Sequence, residues 1–237
     1  MNATVSVACR AVLVDIEGTT TPLAFVHDVL FPYADDHLDA YVAAHRDEPQ
    51  VAQLLRAAAQ AAGEAPEVDD ATILAYLHRW IAEDRKFAPL KTLQGLIWAD
   101  GYEQKQLFAR VYPDAATALR RWHDGGFALY VYSSGSTQAQ QLLFGHSDHG
   151  DLRSLFAGYF DTAIGPKKEA ASYTAIAGAV GLEPSDVLFL SDVDAELDAA
   201  RIAGMQILRL LRPADTPAGA STMHPHVATF DEISLSA

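Results

Sequence analysis

At 237 residues the chain is long enough to bury a sizeable core, as one large domain or as one domain carrying an insertion. Its composition, 50% apolar and 20% charged, excludes a disordered or fibrous class. The formal net charge of −14 argues against sequence-independent nucleic-acid binding and against an anionic membrane surface, since both depend on surplus Lys and Arg.

The first strong element is Ala11-Val12-Leu13-Val14, a short continuous apolar run that ends in Asp15 and reads as a parallel strand buried on both faces. From Thr20 to about Arg110 the pattern becomes helical, with helices predicted over Val29 to Ala44, Val51 to Ala62, Asp70 to Ile81 and Leu90 to Phe108. Breaks at Pro49, Gly63 to Pro66 and Pro89 separate them. The aromatic and Leu residues here, Trp80, Leu93 and Trp98 among them, read as helix packing.

Strand runs then return: Phe127 to Tyr132 leads into Ser133-Ser134-Gly135, Val187 to Leu190 into Ser191-Asp192, and Gln206 to Leu211 into Arg212-Pro213. Helices are expected at Pro113 to Asp124, Ser136 to Phe144, Ala170 to Val180 and Ala195 to Ala203. Alternating strands and helices imply an α/β fold, a doubly wound parallel sheet with a helical cap inserted after the first strand. The expected division is a core of residues 1–20 and 111–237 and a cap of residues 21–110.

Cys9 is the sole cysteine, so an internal disulfide is excluded and a reducing compartment fits. Met1 to Arg10 lacks the pattern of a signal peptide, and no apolar run approaches ~18 residues. A cytoplasmic location is the expectation.

In an open parallel sheet, ligands bind outside the carboxyl ends of the strands. Asp15, Ser133-Ser134 and Asp192 all occupy such ends. In Asp15-Ile16-Glu17-Gly18-Thr19-Thr20 two carboxylates stand two residues apart on a turn. One can attack phosphorus and form an acyl phosphate while the other moves protons, which assigns Asp15 as nucleophile and Glu17 as acid and base. Ser133-Ser134-Gly135-Ser136 offers hydroxyls and unpaired N–H groups to a phosphate. Lys167, with Lys168 as a rival, stands just before a helix and can hold that phosphate against the nucleophile. Asp192 can join Asp15 in binding Mg²⁺. Alone, each signal also reads as a turn, a helix cap or a surface lysine. Their joint order along the chain is what favours a site. His146, His149, His224 and His226 lack an evident third partner for zinc.

These residues resemble the haloacid dehalogenase-like superfamily, with its acidic start, Ser or Thr, Lys and final acidic motif. More narrowly, Asp15 to Thr20, Leu30-Phe31-Pro32-Tyr33, Asp84-Arg85-Lys86, Leu93-Gln94-Gly95, Tyr132 to Ser136, Leu142-Leu143-Phe144-Gly145 and Tyr159-Phe160-Asp161-Thr162 look like the enolase-phosphatases (acireductone synthases) of methionine salvage. The likeness runs from Val12 to about Asp231. It implies enolisation of 2,3-diketo-5-methylthiopentyl-1-phosphate, then loss of phosphate to give 1,2-dihydroxy-3-keto-5-methylthiopentene, by a monomer using Mg²⁺. It further implies that Asp15 and Asp192 bind the ion through side chains and Glu17 through its carbonyl, with Ser133, Ser134 and Lys167 on the phosphate. Lys167 is preferred over Lys168 because Glu169, Ser172 and Tyr173 complete the pattern around it. Phe87-Ala88-Pro89 departs from the small or polar residues expected there, which bears on substrate fit. Two rivals are a related phosphatase for another small phosphate ester and a catalytically silent binding protein. The intact Asp15, Glu17, Lys167 and Asp192 speak against the second.

Overall fold

The computed structural model describes residues 4–65, 67–213, 215 and 223–237. Residues 1–3 of the leading segment and Pro66 of the second predicted break lie outside the described residues. The chain divides into two compact units, Met1–Leu23 with Phe108–Ala237, and Ala24–Leu107.

The first unit is built on parallel strands. Among the described residues β1 (Val5–Ala8) pairs only with β8 (Ile233–Ser236), in a small parallel sheet. The main sheet holds β2 (Ala11–Val14), β3 (Ala128–Tyr132), β4 (Gly158–Phe160), β5 (Val187–Ser191), β6 (Gln206–Leu210) and β7 (His226–Val227). Its order is β4-β3-β2-β5-β6-β7, parallel at every ladder. Ala11, Val12, Leu13 and Val14 are all 0% exposed, because β2 has a strand on each side and helices over the sheet. From β2 the chain continues to β3 and β4 on one side, then crosses to β5 and β6 on the other. The crevice between β2 and β5 is therefore the topological switch point, where a ligand site belongs.

The helices Pro113–Asp124, Thr137–Gly145, Ala170–Val180 and Asp194–Ile202 stand within a residue of the predicted ends. The strand preceding the insertion is the second in the chain, since β1 adds a short one before it.

The second unit is helical, with Phe31–His45, Pro49–Ala62, Asp70–Ala82 and Ala88–Glu103. Pro49 and Pro89, expected as breaks, stand in the first turn of their helices, where a missing amide is harmless. Ahead of Phe31–His45 the chain makes a wide π-turn over Val26–Leu30, with Phe31 N–H donating to Val26 O. Pro32 has no amide to continue the regular ladder at that point. The last helix ends at Glu103 rather than Phe108, because Lys105 takes a positive φ of 58° and Gln106 N–H turns back to Gly101 O at 2.9 Å.

The core of this unit gathers Leu38, Leu55, Leu77, Trp80, Leu93 and Ile97. Phe87 packs edge-on against Trp80 at 5.4 Å, and the Arg85 guanidinium covers the same ring at 4.1 Å. Trp98 donates its indole N–H to Leu30 O at 2.8 Å. Trp80→Ala is expected to destabilise the protein by about 3–5 kcal/mol, because a large buried ring leaves a cavity. Urea denaturation followed by circular dichroism reads this, and a midpoint like that of the unchanged chain would contradict it.

Candidate active site

Register carries Asp15 into the switch point. Val14 pairs with Val131 on one side and Leu190 on the other, and Asp15 N–H still donates to Leu190 O at 2.9 Å one residue past the strand. Asp15 thus comes level with Ser191. Beyond it the chain winds tightly about one carbonyl: Thr19, Thr20 and Thr21 N–H all donate to Ile16 O, at 3.2, 2.9 and 2.9 Å. Thr20 Oγ1 donates to Asp15 O at 3.1 Å. Glu17 rides half-buried on this turn and forms a bridge to Thr21.

Gly18 is the turn's obligatory glycine. Its φ is +67°, and a Cβ there would lie 2.5 Å from Asp192 Cγ. Gly18→Ala therefore combines left-handed strain with a push against the Asp192 carboxylate. A loss of about 1–3 kcal/mol in stability and of roughly 10²-fold in turnover is expected. Thermal unfolding beside phosphate release tests it; full activity in this variant would show that the close approach has no consequence.

Asp15 is 4% exposed. Its Oδ1 accepts from Ile16 N at 2.7 Å and from Lys167 Nζ at 2.6 Å. Lys167 also reaches Glu196 Oε2 at 2.8 Å. Ser191 Oγ lies 3.1 Å from Glu196 Oε2 and 3.3 Å from Asp15 Oδ2, so these side chains form one buried network. Burial opposes the Lys167 charge, yet Asp15 and Glu196 outweigh it and hold the ammonium above its ordinary pKa. Burial first, and the Asp15 charge next, push the Asp192 carboxyl up to about 7. The same two causes raise Glu196 above the usual carboxylate range. Asp192 Oδ1 is buried without a hydrogen-bond partner among the described residues.

The remaining predicted residues are placed less centrally. Ser133 is buried at the end of β3, where its N–H donates to Phe160 O at 3.2 Å and its Oγ accepts from Gly135 N at 3.2 Å. Ser134 is exposed. Ser136 caps the following helix by accepting from Ala139 N at 3.2 Å. Lys168 is exposed, whereas the Lys167 side chain is only 10% so. Of the histidines, His149 Nε2 lies 3.1 Å from Val111 O in a turn that Ser147 Oγ closes by donating to Gly150 O at 2.6 Å.

Sequence reasoning left Glu196 without a role, although its place four residues after Asp192 puts it on the first helical turn facing the same crevice. It also missed Arg212, which is 2% exposed and donates Nε and Nη2 to Thr19 O at 3.0 and 2.6 Å, with Nη1 on Asp114 at 2.6 Å. This clamp fixes the turn bearing Glu17 from behind. An arginine two residues past the apolar run of β6 was the available signal.

An acid at the end of a central parallel strand, paired with a buried lysine and facing a second acid across the switch point, defines a haloacid dehalogenase-like hydrolase. The family model of that description matches residues 9–204. The chain belongs to the enolase-phosphatase E1 family within it. It is 56% identical over 224 residues to Enolase-phosphatase E1 of Pseudomonas aeruginosa (strain LESB58), covering 94% of this chain and 97% of that one. It is 54% identical to the Enolase-phosphatase E1 of Pseudomonas syringae pv. syringae (strain B728a), over 93% and 95% of the two chains. The crystal structure of UTR4 protein from Saccharomyces cerevisiae superposes with a TM-score of 0.79 at 36% identity, over 94% of this chain and 99% of that one.

Proposed function

We propose that the chain converts 2,3-diketo-5-methylthiopentyl-1-phosphate to 1,2-dihydroxy-3-keto-5-methylthiopentene and phosphate, as a monomeric, cytoplasmic enzyme of methionine salvage. Residues 1–20 and 111–237 act as its phosphatase core and residues 21–110 as its cap. The observation that carries the reading is the 2.6 Å ion pair of Lys167 with Asp15 at the mouth of the central strand. No described helix is long and apolar enough to cross a membrane.

A carboxylate of Asp15 attacks phosphorus, and the ester P–O bond breaks as the acyl-phosphate bond forms. Glu17 donates a proton to the leaving oxygen, then takes one from the water that hydrolyses the acyl phosphate and returns Asp15 to its free form. Lys167, kept charged by its two carboxylate partners, holds the phosphoryl oxygens beside the nucleophile, with Ser133 and Ser134 as further donors. Glu17 is also the group nearest in role to the base that removes the carbon-bound proton in the enolisation.

The residues fit a divalent cation, which we take to be Mg²⁺. Asp15, Asp192 and Glu196 set three carboxylates against one ammonium, and Asp192 Oδ1 is buried with no partner among the described residues. Asp15, Asp192 and the Glu17 carbonyl would hold the ion. It would offset negative charge on phosphoryl and enolate oxygens. Among the described residues no group of three or more His, Cys, Asp or Glu is arranged for a metal. A site of two carboxylates, one carbonyl and waters needs no such group.

The test supplies the diketone phosphate with Mg²⁺ and follows phosphate together with enediol absorbance. Both are expected to appear. Phosphate release without the enediol would remove the enolase half, and a rate untouched by EDTA would remove the metal.

A further inference from the structure

Lys167 sits on a loop, yet its position is fixed with unusual redundancy. Tyr132 OH donates to Gly165 O at 2.8 Å, Ser172 Oγ to Pro166 O at 2.8 Å, and Tyr173 OH to Lys167 O at 2.7 Å. Three consecutive carbonyls are thus held by three side-chain hydroxyls, from one strand and from the helix that follows the loop. All three donors are buried, at 0%, 2% and 0% exposure. The two tyrosine rings meet edge to face at 5.5 Å, and Tyr173 packs likewise on Phe189 of β5 at 5.0 Å. The donors are therefore anchored in the same core that carries the strand ends. Gly165, with φ +145°, lets Ser172 approach; a Cβ there would stand 3.2 Å from Ser172 Cβ and closer still to its Oγ.

A lysine side chain has a long flexible stem, so its ammonium is placed well only when its main chain is. Burial alone would be satisfied by Phe, Ala and Phe at these positions. The hydroxyls add direction, pinning the peptide from which the Lys167 stem departs. We infer that Tyr132, Ser172 and Tyr173 are positioning residues for the reaction, acting through Lys167 by clamping the Gly165-Pro166-Lys167 carbonyls. The inference rests on the reading of Lys167 as the phosphate holder.

The test uses the full chain with Tyr132→Phe, Ser172→Ala and Tyr173→Phe, singly and combined, each in the natural background and in Lys167→Met. Binding of inorganic phosphate in the presence of Mg²⁺ is titrated by ³¹P NMR, with thermal melts recording that each variant is folded. In the natural background each single variant is expected to weaken phosphate binding roughly fivefold, and the triple variant more. In Lys167→Met, itself already weakened, the same deletions are expected to add nothing, since there is no ammonium left to aim. Equal losses in both backgrounds, or no loss in folded single variants, would overturn the positioning role while leaving Lys167 as the phosphate holder. A Lys167→Met chain that binds phosphate as tightly as the natural one would overturn the reading of Lys167 itself and the inference with it. The single variants keep the question answerable if the triple variant does not fold.

Discussion

Asp15→Asn is expected to lower turnover of the phosphorylated diketone by roughly 10⁴-fold or more with the fold intact, the scale on which removal of a nucleophile acts. The substitution is nearly isosteric. The amide oxygen can accept from Ile16 N and Lys167 Nζ as Oδ1 now does, and the new amide nitrogen faces Ser191 Oγ. What disappears is the anionic lone pair that forms the acyl phosphate. In the metal-free chain two effects on stability oppose each other, the loss of the buried Lys167 ion pair and the relief of two neighbouring carboxyls. The Asp15 charge helps to raise the carboxyls of Asp192 and Glu196, so its loss lets both fall back toward ordinary values and eases the crowding. Acid quench with labelled substrate should trap phosphate on the natural chain and none on the variant. Activity within roughly a hundredfold of the natural chain would refute the assignment of Asp15.

The place of Asp15 at a strand end was legible because β2 is uninterrupted. Four apolar residues buried on both faces can only be a central strand, and the polar residue ending such a strand must face the crevice. The same logic found Asp192 after β5. β1, β4, β7 and β8 escaped it because each is short and none is buried along its whole length, unlike the equally short β2. A short half-exposed strand carries little periodic signal. The insertion was legible through its helical period, but its π-turn came from Pro32 inside an otherwise regular pattern, and the early stop at Glu103 came from a positive φ at Lys105. Neither leaves a mark on the hydrophobic pattern. In the site, strand-end residues could be found one at a time. Glu196 and Arg212 could be placed near strand ends but not given roles, because those roles exist only through partners distant in sequence, Lys167 and Thr19.

Burial and the Asp15 charge give the metal-free protein an unusual dependence on pH. The Asp192 carboxyl has an ordinary value of 3.8 and is pushed up to about 7 in the folded chain. Between those values the native state holds a proton that the unfolded state has released, so stability falls as pH rises through the window. Below it both states are protonated and the contribution vanishes. Above about 7 the penalty is complete, with an upper bound of about 4 kcal/mol for the whole shift. Glu196, raised by the same causes, acts in the same direction. Asp69 and Asp151 have lowered values, so the stability they contribute is lost only below their ordinary 3.8 and does not interfere. In EDTA the protein should therefore melt at a higher temperature near pH 5 than near pH 8. A cation that requires ionised Asp192 reverses the slope, because it binds the form that the metal-free chain disfavours. The gain in melting temperature on adding Mg²⁺ should grow steadily from pH 5 to pH 8, and Asp192→Asn should make both slopes shallower, leaving the parts due to Glu196 and to His78, which Asp35 and Asp39 raise. Calorimetric melts at fixed ionic strength decide it. A Mg²⁺ gain that is independent of pH would mean that the buried, unpartnered oxygen of Asp192 is not where the cation's charge is felt.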